Sequence, residues 1–273
     1  MNKLLKIFSI AITLLFVSIS SQAAQVSADA PAMSRIVKSG QLVVGTSANQ
    51  PPMSMLDKSG KVVGFDMDLA GLMAQALGVK LVTKQIQFDK LLDALESGKV
   101  DVVLSNMTIN PSRNMRVAFV GPYMTSGKCL ITKKENLAQA DDTEELNLPD
   151  MNLVVLKGST SEDIVRTLMP NVKLATVDDI DKGVKMVADD KVGGMMADYP
   201  VCLHTVSSNP DAGFISVFSM LTYEPIGVAL PANDPLLMNW TTNFLERLDK
   251  TETLEVLAQK WLGNYLEPKA EAK

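Results

Sequence analysis

The sequence predicts an α/β protein of two lobes, each a mostly parallel sheet flanked by helices. Two observations carry that expectation. Short apolar runs rich in β-branched residues, such as residues 100–104 (VDVVL), alternate with amphipathic stretches such as residues 64–78. Strand–helix–strand order of this kind joins parallel strands through right-handed crossovers. Beyond its leader the chain runs to about 250 residues, more than one typical core and enough for two units of roughly 100–150 each. A hydrophobic share of 47% supplies the side chains to fill both.

Residues 1–23 read as a secretory signal peptide: Lys3 and Lys6 lead, residues 7–19 are an apolar core, and Ser21-Gln22-Ala23 puts small residues at the cleavage positions. That core is shorter than the roughly 18–20 apolar residues of a membrane span, and no later stretch qualifies. The processed chain is therefore expected to be exported to the periplasm and not to span a membrane. No Cys follows the cleavage site to suggest a lipid anchor. Losing Lys3 and Lys6 takes the formal charge from -5 to -7. An acidic chain without a dense basic patch speaks against nucleic acid and anionic membranes as partners.

After a small, polar leader, residues 34–39 form a short helix that Gly40 stops, and residues 42–44 form the first strand. Residues 47–53 (SANQPPM) hold two prolines and no periodicity, so they read as a loop on the ligand side of a parallel sheet. In residues 64–78, Leu69, Leu72, Met73, Ala76 and Leu77 make an apolar helical face, with Asp66 and Asp68 in the favourable first turn. Residues 79–86 then read as a strand, 88–97 as a helix, and 100–104 as a strand covered on both faces.

Where that strand ends, Ser105, Asn106 and Thr108 follow, and Pro111-Ser112 starts a short helix with Arg113 in its first turn. A cation there opposes the helix dipole. The plain alternative is a solvated surface arginine; as a ligand group, a guanidinium beside a Thr hydroxyl and free backbone N–H groups suits a carboxylate.

The second half repeats the alternation. Residues 125–133 form an extended crossing and 141–149 an acidic connector. Strands follow at 151–156, 172–177, 192–197 and 214–218, with helices at 162–168, 179–188 and from Pro200. Residues 223–230 return the chain, and helices at 234–248 and 253–262 close it, with Trp240 and Trp261 packed on the first lobe. Cys129 and Cys202 are too few for a disulfide scaffold; one bridge is permitted, and two buried thiols is the plainer reading. His204, the only histidine, reads as structural, and Arg116 as exposed. No zinc or phosphate-loop pattern occurs, so no metal, cofactor or catalytic residue is expected.

The run GFDMDLAGLMAQALGVK, then FDKLLDALESGKVD, then T-I-N-P-S-R with Phe119 and Pro122-Tyr123 after it, resembles the type II periplasmic solute-binding proteins of polar amino-acid ABC importers, family 3. The likeness covers about Ile36 to Gly263. It implies a two-lobe clamp with two hinge crossings, lobe 1 from residues 34–125 plus 225–268 and lobe 2 from 126–224. It also implies a monomer that delivers an amino acid, or a related small carboxylate, to an inner-membrane ABC permease.

By the same resemblance, Arg113 holds the ligand carboxylate and Asp198, at the end of a lobe-2 strand, its ammonium. Asn106 and Thr108 are matched to lobe-1 contacts. Gly158, Ser159, Thr160 and Ser161 match a loop whose amides, at a helix N-terminus, also hold the carboxylate. A zwitterion stripped of water needs both charges paired, so a ligand touching both lobes favours closure. Phe88 matches an aromatic wall. Ser47 and Gln50 stand where many members carry an acidic residue and a stacking aromatic, which argues against a cationic ligand and favours a polar or small neutral one. Whether Met53, Met55, Met107 and Glu224 face the cleft stays open at this level.

The rival reading is an enzyme resembling cyclohexadienyl dehydratases, which acts on a ring carboxylate and needs a general acid held protonated. Glu224 is the only candidate for that acid. A receptor's sensor module is a third, disfavoured reading, since no second span or signalling domain precedes Lys273.

Overall fold

The computed structural model describes residues 31–140, 142–216 and 222–266. The expected signal peptide, the last two residues of the 214–218 strand and the polar tail from Glu267 lie outside them.

The chain opens with α1 (Ala32–Ser39) and β1 (Gln41–Thr46). The stretch read as a plain loop contains β2 (Asn49–Gln50), which pairs with β3 (Ser54–Leu56), itself paired with β4 (Val62–Val63). Strands of two or three residues are too short to show a period-2 pattern, so the sequence does not announce them. Next comes α2 (Phe65–Leu77). Gly64, before it, has φ 135°, and a Cβ there would stand 2.2 Å from the Met53 carbonyl oxygen, so only glycine lets the helix start this close to β3.

Then come β5 (Lys80–Gln85), a 3₁₀ turn at Phe88–Lys90, α3 (Leu91–Glu96), β6 (Val102–Val103), α4 (Pro111–Asn114) and β7 (Ala118–Ser126). Gly127 alone separates β7 from β8 (Lys128–Thr132), the first strand of the second sheet. The second unit continues through β9 (Asn152–Leu156), α5 (Thr160–Leu168), β10 (Lys173–Val177), α6 (Ile180–Ala188), β11 (Gly194–Asp198), α7 (Tyr199–Ser208) and β12 (Ile215–Ser216). The chain returns in β13 (Glu224–Leu230) and ends in α8 (Pro235–Lys250) and α9 (Thr253–Leu266).

Two five-stranded sheets result, ordered β5-β1-β6-β13-β7 and β10-β9-β11-β8-β12. In each, two of the four strand pairings are parallel and two antiparallel, so four strands run one way and one, β13 in the first sheet and β8 in the second, runs against them. The parallel half is the one that the strand–helix alternation predicts. The antiparallel half has a topological origin: the strands that carry the chain between the units enter each sheet without a crossover helix. The fold is thus a two-lobe α/β clamp with mixed sheets.

The first sheet packs α1, α2, α8 and α9 over a core that includes Leu42, Phe65, Leu69, Met73 and Leu237, with Trp240 and Trp261 against it. Another apolar cluster continues from Phe88, Leu91 and Met107 to Ile131, Val154 and Met195, so the two units share buried surface. Cys129 and Cys202 are bridged, with Cα atoms 6.5 Å apart, which corrects the expectation of two free thiols. The bridge ties β8 to α7. Nothing local foretells it, because 73 residues separate the pair and only the sheet brings them together.

Candidate functional site

The loop after β6 holds the first group of side chains. Asn106 takes φ 49°, a left-handed conformation that asparagine tolerates better than most residues. Its backbone N–H donates to Asp66 Oδ2 at 2.7 Å. Its side-chain Nδ2 donates to Gln50 Oε1 at 3.2 Å and to Asp198 Oδ2 at 3.0 Å. Both amide hydrogens are thereby used, which fixes Oδ1 as the free end of the group. Asn106 Oδ1 is buried and has no hydrogen-bond partner among the described residues.

Gln50 also donates to the Ser105 carbonyl at 3.0 Å, and Ser47 exchanges hydrogen bonds with the Ser105 side chain. These two sequence-predicted residues brace the loop from below. Asp66, read from sequence only as a favourable charge at a helix start, is fully buried and supports the same loop. Tyr123 donates its hydroxyl to Asp66 Oδ1 at 2.7 Å. Burial pushes the Asp66 carboxyl up to about 7, although the hydrogen bonds from Tyr123 and Asn106 oppose it.

Arg113 sits where Asn110 caps α4, accepting the Arg113 backbone N–H at 2.8 Å. Its guanidinium donates to the Thr108 carbonyl at 2.8 Å and, across the cleft, to the Gly158 carbonyl at 3.1 Å, with Phe88 5.6 Å beneath it. Arg113 is 8% exposed and makes no ion pair among the described residues. Burial lowers its pKa from the ordinary arginine value, against the fields of Asp198, Asp163 and Glu224. A cavity of about 270 Å³ opens on this side, lined by Phe88, Met107, Arg113 and Gly158 among others. Met107 thus faces it; Met53 and Met55 do not line it.

The second unit answers from the start of α5 and the end of β11. Ser159 caps α5, its Oγ accepting from the Glu162 N–H at 3.3 Å, and Thr160 and Ser161 are buried in the first turn. Gly158 has φ 74°, and a Cβ there would lie 2.9 Å from the Asp89 side chain of the first unit. Asp198 ends β11 directly opposite Lys128 of β8. Lys128 Nζ donates to Asp198 Oδ1 at 2.5 Å and lies 3.5 Å from Glu224 Oε2.

Glu224, left open by the sequence, reaches the cleft. Its Oε2 accepts from Thr108 at 2.8 Å and Thr160 at 2.9 Å, and its Oε1 from Thr222 at 3.0 Å. Burial alone would raise this carboxyl, but the Lys128 ammonium and the three hydroxyls outweigh it and hold its pKa below the ordinary value. An ionised Glu224 does not suit a general acid. Sequence reasoning missed Lys128 altogether; its one signal is a lone cation opening the apolar run Cys129-Leu130-Ile131. For Asp66 the signal was its helical register with Leu69 and Met73, the buried face of α2.

Of the ten predicted residues, Asn106, Thr108 and Arg113 meet the second unit's Asp198, Thr160 and Gly158 loop across the interface, and Phe88 lies beneath Arg113. Gln50 and Ser47 brace the loop within the first unit, and Ser159 and Ser161 are buried at the start of α5. The two units are closed on each other. Besides Asn106–Asp198 and Arg113–Gly158, Asn49 donates to the Asp178 carbonyl at 3.0 Å and Lys157 pairs with Asp89 at 3.2 Å. Among the described residues no group of acids, cysteines and histidine is placed to hold a metal, and no helix is long and apolar enough to cross a membrane. His204 lies on α7 outside this cluster, and Arg116 pairs with Asp93 and Glu96 at the surface.

A family model for bacterial extracellular solute-binding proteins, family 3, matches residues 42–264, both lobes and the cleft between them. The chain belongs to that family. Among its curated relatives is the L-cystine-binding protein TcyJ of Escherichia coli (strain K12), 27% identical over 239 residues that span 86% of this chain and 88% of that one. A cyclohexadienyl dehydratase of Pseudomonas aeruginosa is 27% identical over 166 residues, 61% of this chain and 62% of that one. Among solved structures, the ancestral amino acid-binding protein AncCDT-1, a precursor of cyclohexadienyl dehydratase, superposes with a TM-score of 0.78 at 36% identity, covering 85% of this chain and 99% of that one. As a family 3 solute-binding protein, this chain has a solute-binding role, and the match to the dehydratase is the more partial one.

Proposed function

We propose that this protein captures an amino acid between its lobes in the periplasm and presents the closed form to an inner-membrane ABC permease, acting as a monomer released from its leader at Ala23. On this reading lobe 1 comprises residues 34–125 and 225–268, and lobe 2 residues 126–224. The observation that carries it is Arg113: a buried guanidinium between the lobes, over the Phe88 ring and hydrogen-bonded among the described residues only to carbonyls, invites a carboxylate. Asn106 Oδ1, a buried acceptor without a donor, and the neighbouring Asp198 Oδ2 mark where an α-ammonium is received. Thr108, Thr160 and the N-terminal turn of α5 contribute the dipoles between. Relatives named for cystine, arginine and histidine binding support the ligand class.

The test is a thermal-shift screen of refolded, ligand-stripped mature protein against the proteinogenic amino acids, cystine and small carboxylates, because a ligand of the native state raises Tm. An amino acid that raises Tm and is recovered unchanged supports the reading. Silence across all amino acids overturns it. Arg113→Ala should weaken that ligand roughly 100-fold or more, about 3 kcal/mol, by leaving its carboxylate buried and unpaired. Calorimetric titration checks this, and near-normal affinity would remove Arg113 from the site.

A further inference from the structure

Four charged side chains meet at the centre of the cleft, and all are buried: Arg113 is 8% exposed, Lys128 0%, Asp198 7% and Glu224 4%. Two are cations and two are anions. Other charges near the cleft are neutralised or wet. Asp89 at the rim pairs with Lys157 and Lys90, Arg116 pairs with Asp93 and Glu96, and Asp163 is exposed. Asp66 lies one layer back, bound to Tyr123 and to the Asn106 backbone.

Lys128 is the member that makes this balance. Its ammonium reaches both Asp198 and Glu224, so two carboxylates from different elements sit together without mutual repulsion. It is also placed at the joint, separated by Gly127 alone from the end of β7 in the first sheet and opposite Asp198 in the second. A zwitterion added here brings one charge of each sign, and the enclosed set stays neutral. A ligand with a charged side chain leaves one charge over in a space from which water is excluded, and an uncompensated buried charge is costly.

On the reading that the cleft holds an amino acid, we infer that Lys128 and Glu224 set the net charge of the ligand: the cleft takes amino acids with uncharged side chains and rejects basic and acidic ones alike. Asp198 is matched to the ammonium by the family likeness, whereas Lys128 and Glu224 act through the sum of charge.

The experiment is a titration series with glutamine, alanine, serine and cystine as net-neutral probes, lysine and arginine as cationic ones, and aspartate and glutamate as anionic ones. For the unaltered protein, the best neutral probe should bind at least tenfold more tightly than any charged one. Glu224→Gln keeps an acceptor for the threonine hydroxyls and leaves one positive charge over, so preference should move at least tenfold toward aspartate or glutamate. Lys128→Met leaves one negative charge over and should move preference toward lysine or arginine. The double variant restores neutrality and should recover the neutral preference, which a purely structural role for either residue would not produce. If Lys128→Met fails to fold, the Glu224→Gln and double variants still decide the matter.

A basic or acidic amino acid as the best ligand of the unaltered protein, or a preference that does not follow these charge changes, overturns the inference and leaves the amino-acid reading standing. No binding by any of the eight probes or the remaining amino acids overturns that reading itself.

Discussion

Asp66 carries no predicted contact with the ligand, yet it holds the backbone of the residue that links the lobes. Its carboxyl titrates near 7 in the folded protein, raised from an ordinary value near 4. Because the native state takes up this proton more readily than the unfolded chain, the contribution is greatest at low pH and is lost as pH rises from about 4 through about 7. Asp66→Asn keeps an oxygen for the Asn106 N–H and removes the titration. Between pH 5 and pH 8, the unaltered protein should therefore lose roughly 2–3 kcal/mol more stability than this variant. Urea unfolding at the two pH values measures the difference, and parallel losses would show that Asp66 does not titrate in this range. The position illustrates how a residue in a helix's first turn has two physical meanings. A local reading sees a charge complementing a dipole, whereas burial makes it a costly charge that earns its place through Asn106.

At the scale of elements, β8 concentrates what the sequence left unread. Its five residues include the cation at the cleft and one half of the disulfide, and all five are buried. Periodicity shows only an extended segment there, since an apolar run covered on both faces looks the same whichever partner each residue meets. The bridge from Cys129 to Cys202 closes a loop of 73 residues, which limits the unfolded chain more than the folded one. Replacing both cysteines by alanine should cost roughly 2–4 kcal/mol in denaturant unfolding, with ligand affinity changed less than threefold, because neither sulfur lies in the cleft. A variant as stable as the parent would mean that the thiols are not joined in solution. Helix α5, by contrast, was expected from residue 162 and begins two residues earlier, at Thr160; Ser159 as cap and Glu162 three residues on, whose side chain accepts from the Gly158 N–H, are the local signals that mark this start.

For the whole molecule, function lies in the approach of two lobes, and Gly158 sets how close they come. Its positive φ and the 2.9 Å that a Cβ would leave to Asp89 make alanine there a wedge between the lobes. Gly158→Ala should weaken the best amino-acid ligand at least tenfold and prevent the compaction on ligand saturation that small-angle scattering is expected to record for the unaltered protein. Full compaction of the variant would mean that closure tolerates more space at this point. Closure of this kind is differential binding: a ligand shifts the lobes only as far as it makes contacts in the closed form that the open form lacks.

The sequence by itself determined the alternation of strands and helices, the two-unit length, and the polar strand ends where Arg113 and Asp198 stand. These follow from side-chain periodicity and capping, which act over one or two turns of chain. The tertiary structure alone decided that Lys128 meets Asp198 and Glu224, that Asn106 spans the cleft to Asp198, and that the cysteines join. Those partners lie 70 or more residues apart, from 70 for Lys128 and Asp198 to 96 for Lys128 and Glu224. The physical reason is that such pairs form only once the crossing strands have set both sheets in register, so no window along the chain contains both halves of the interaction.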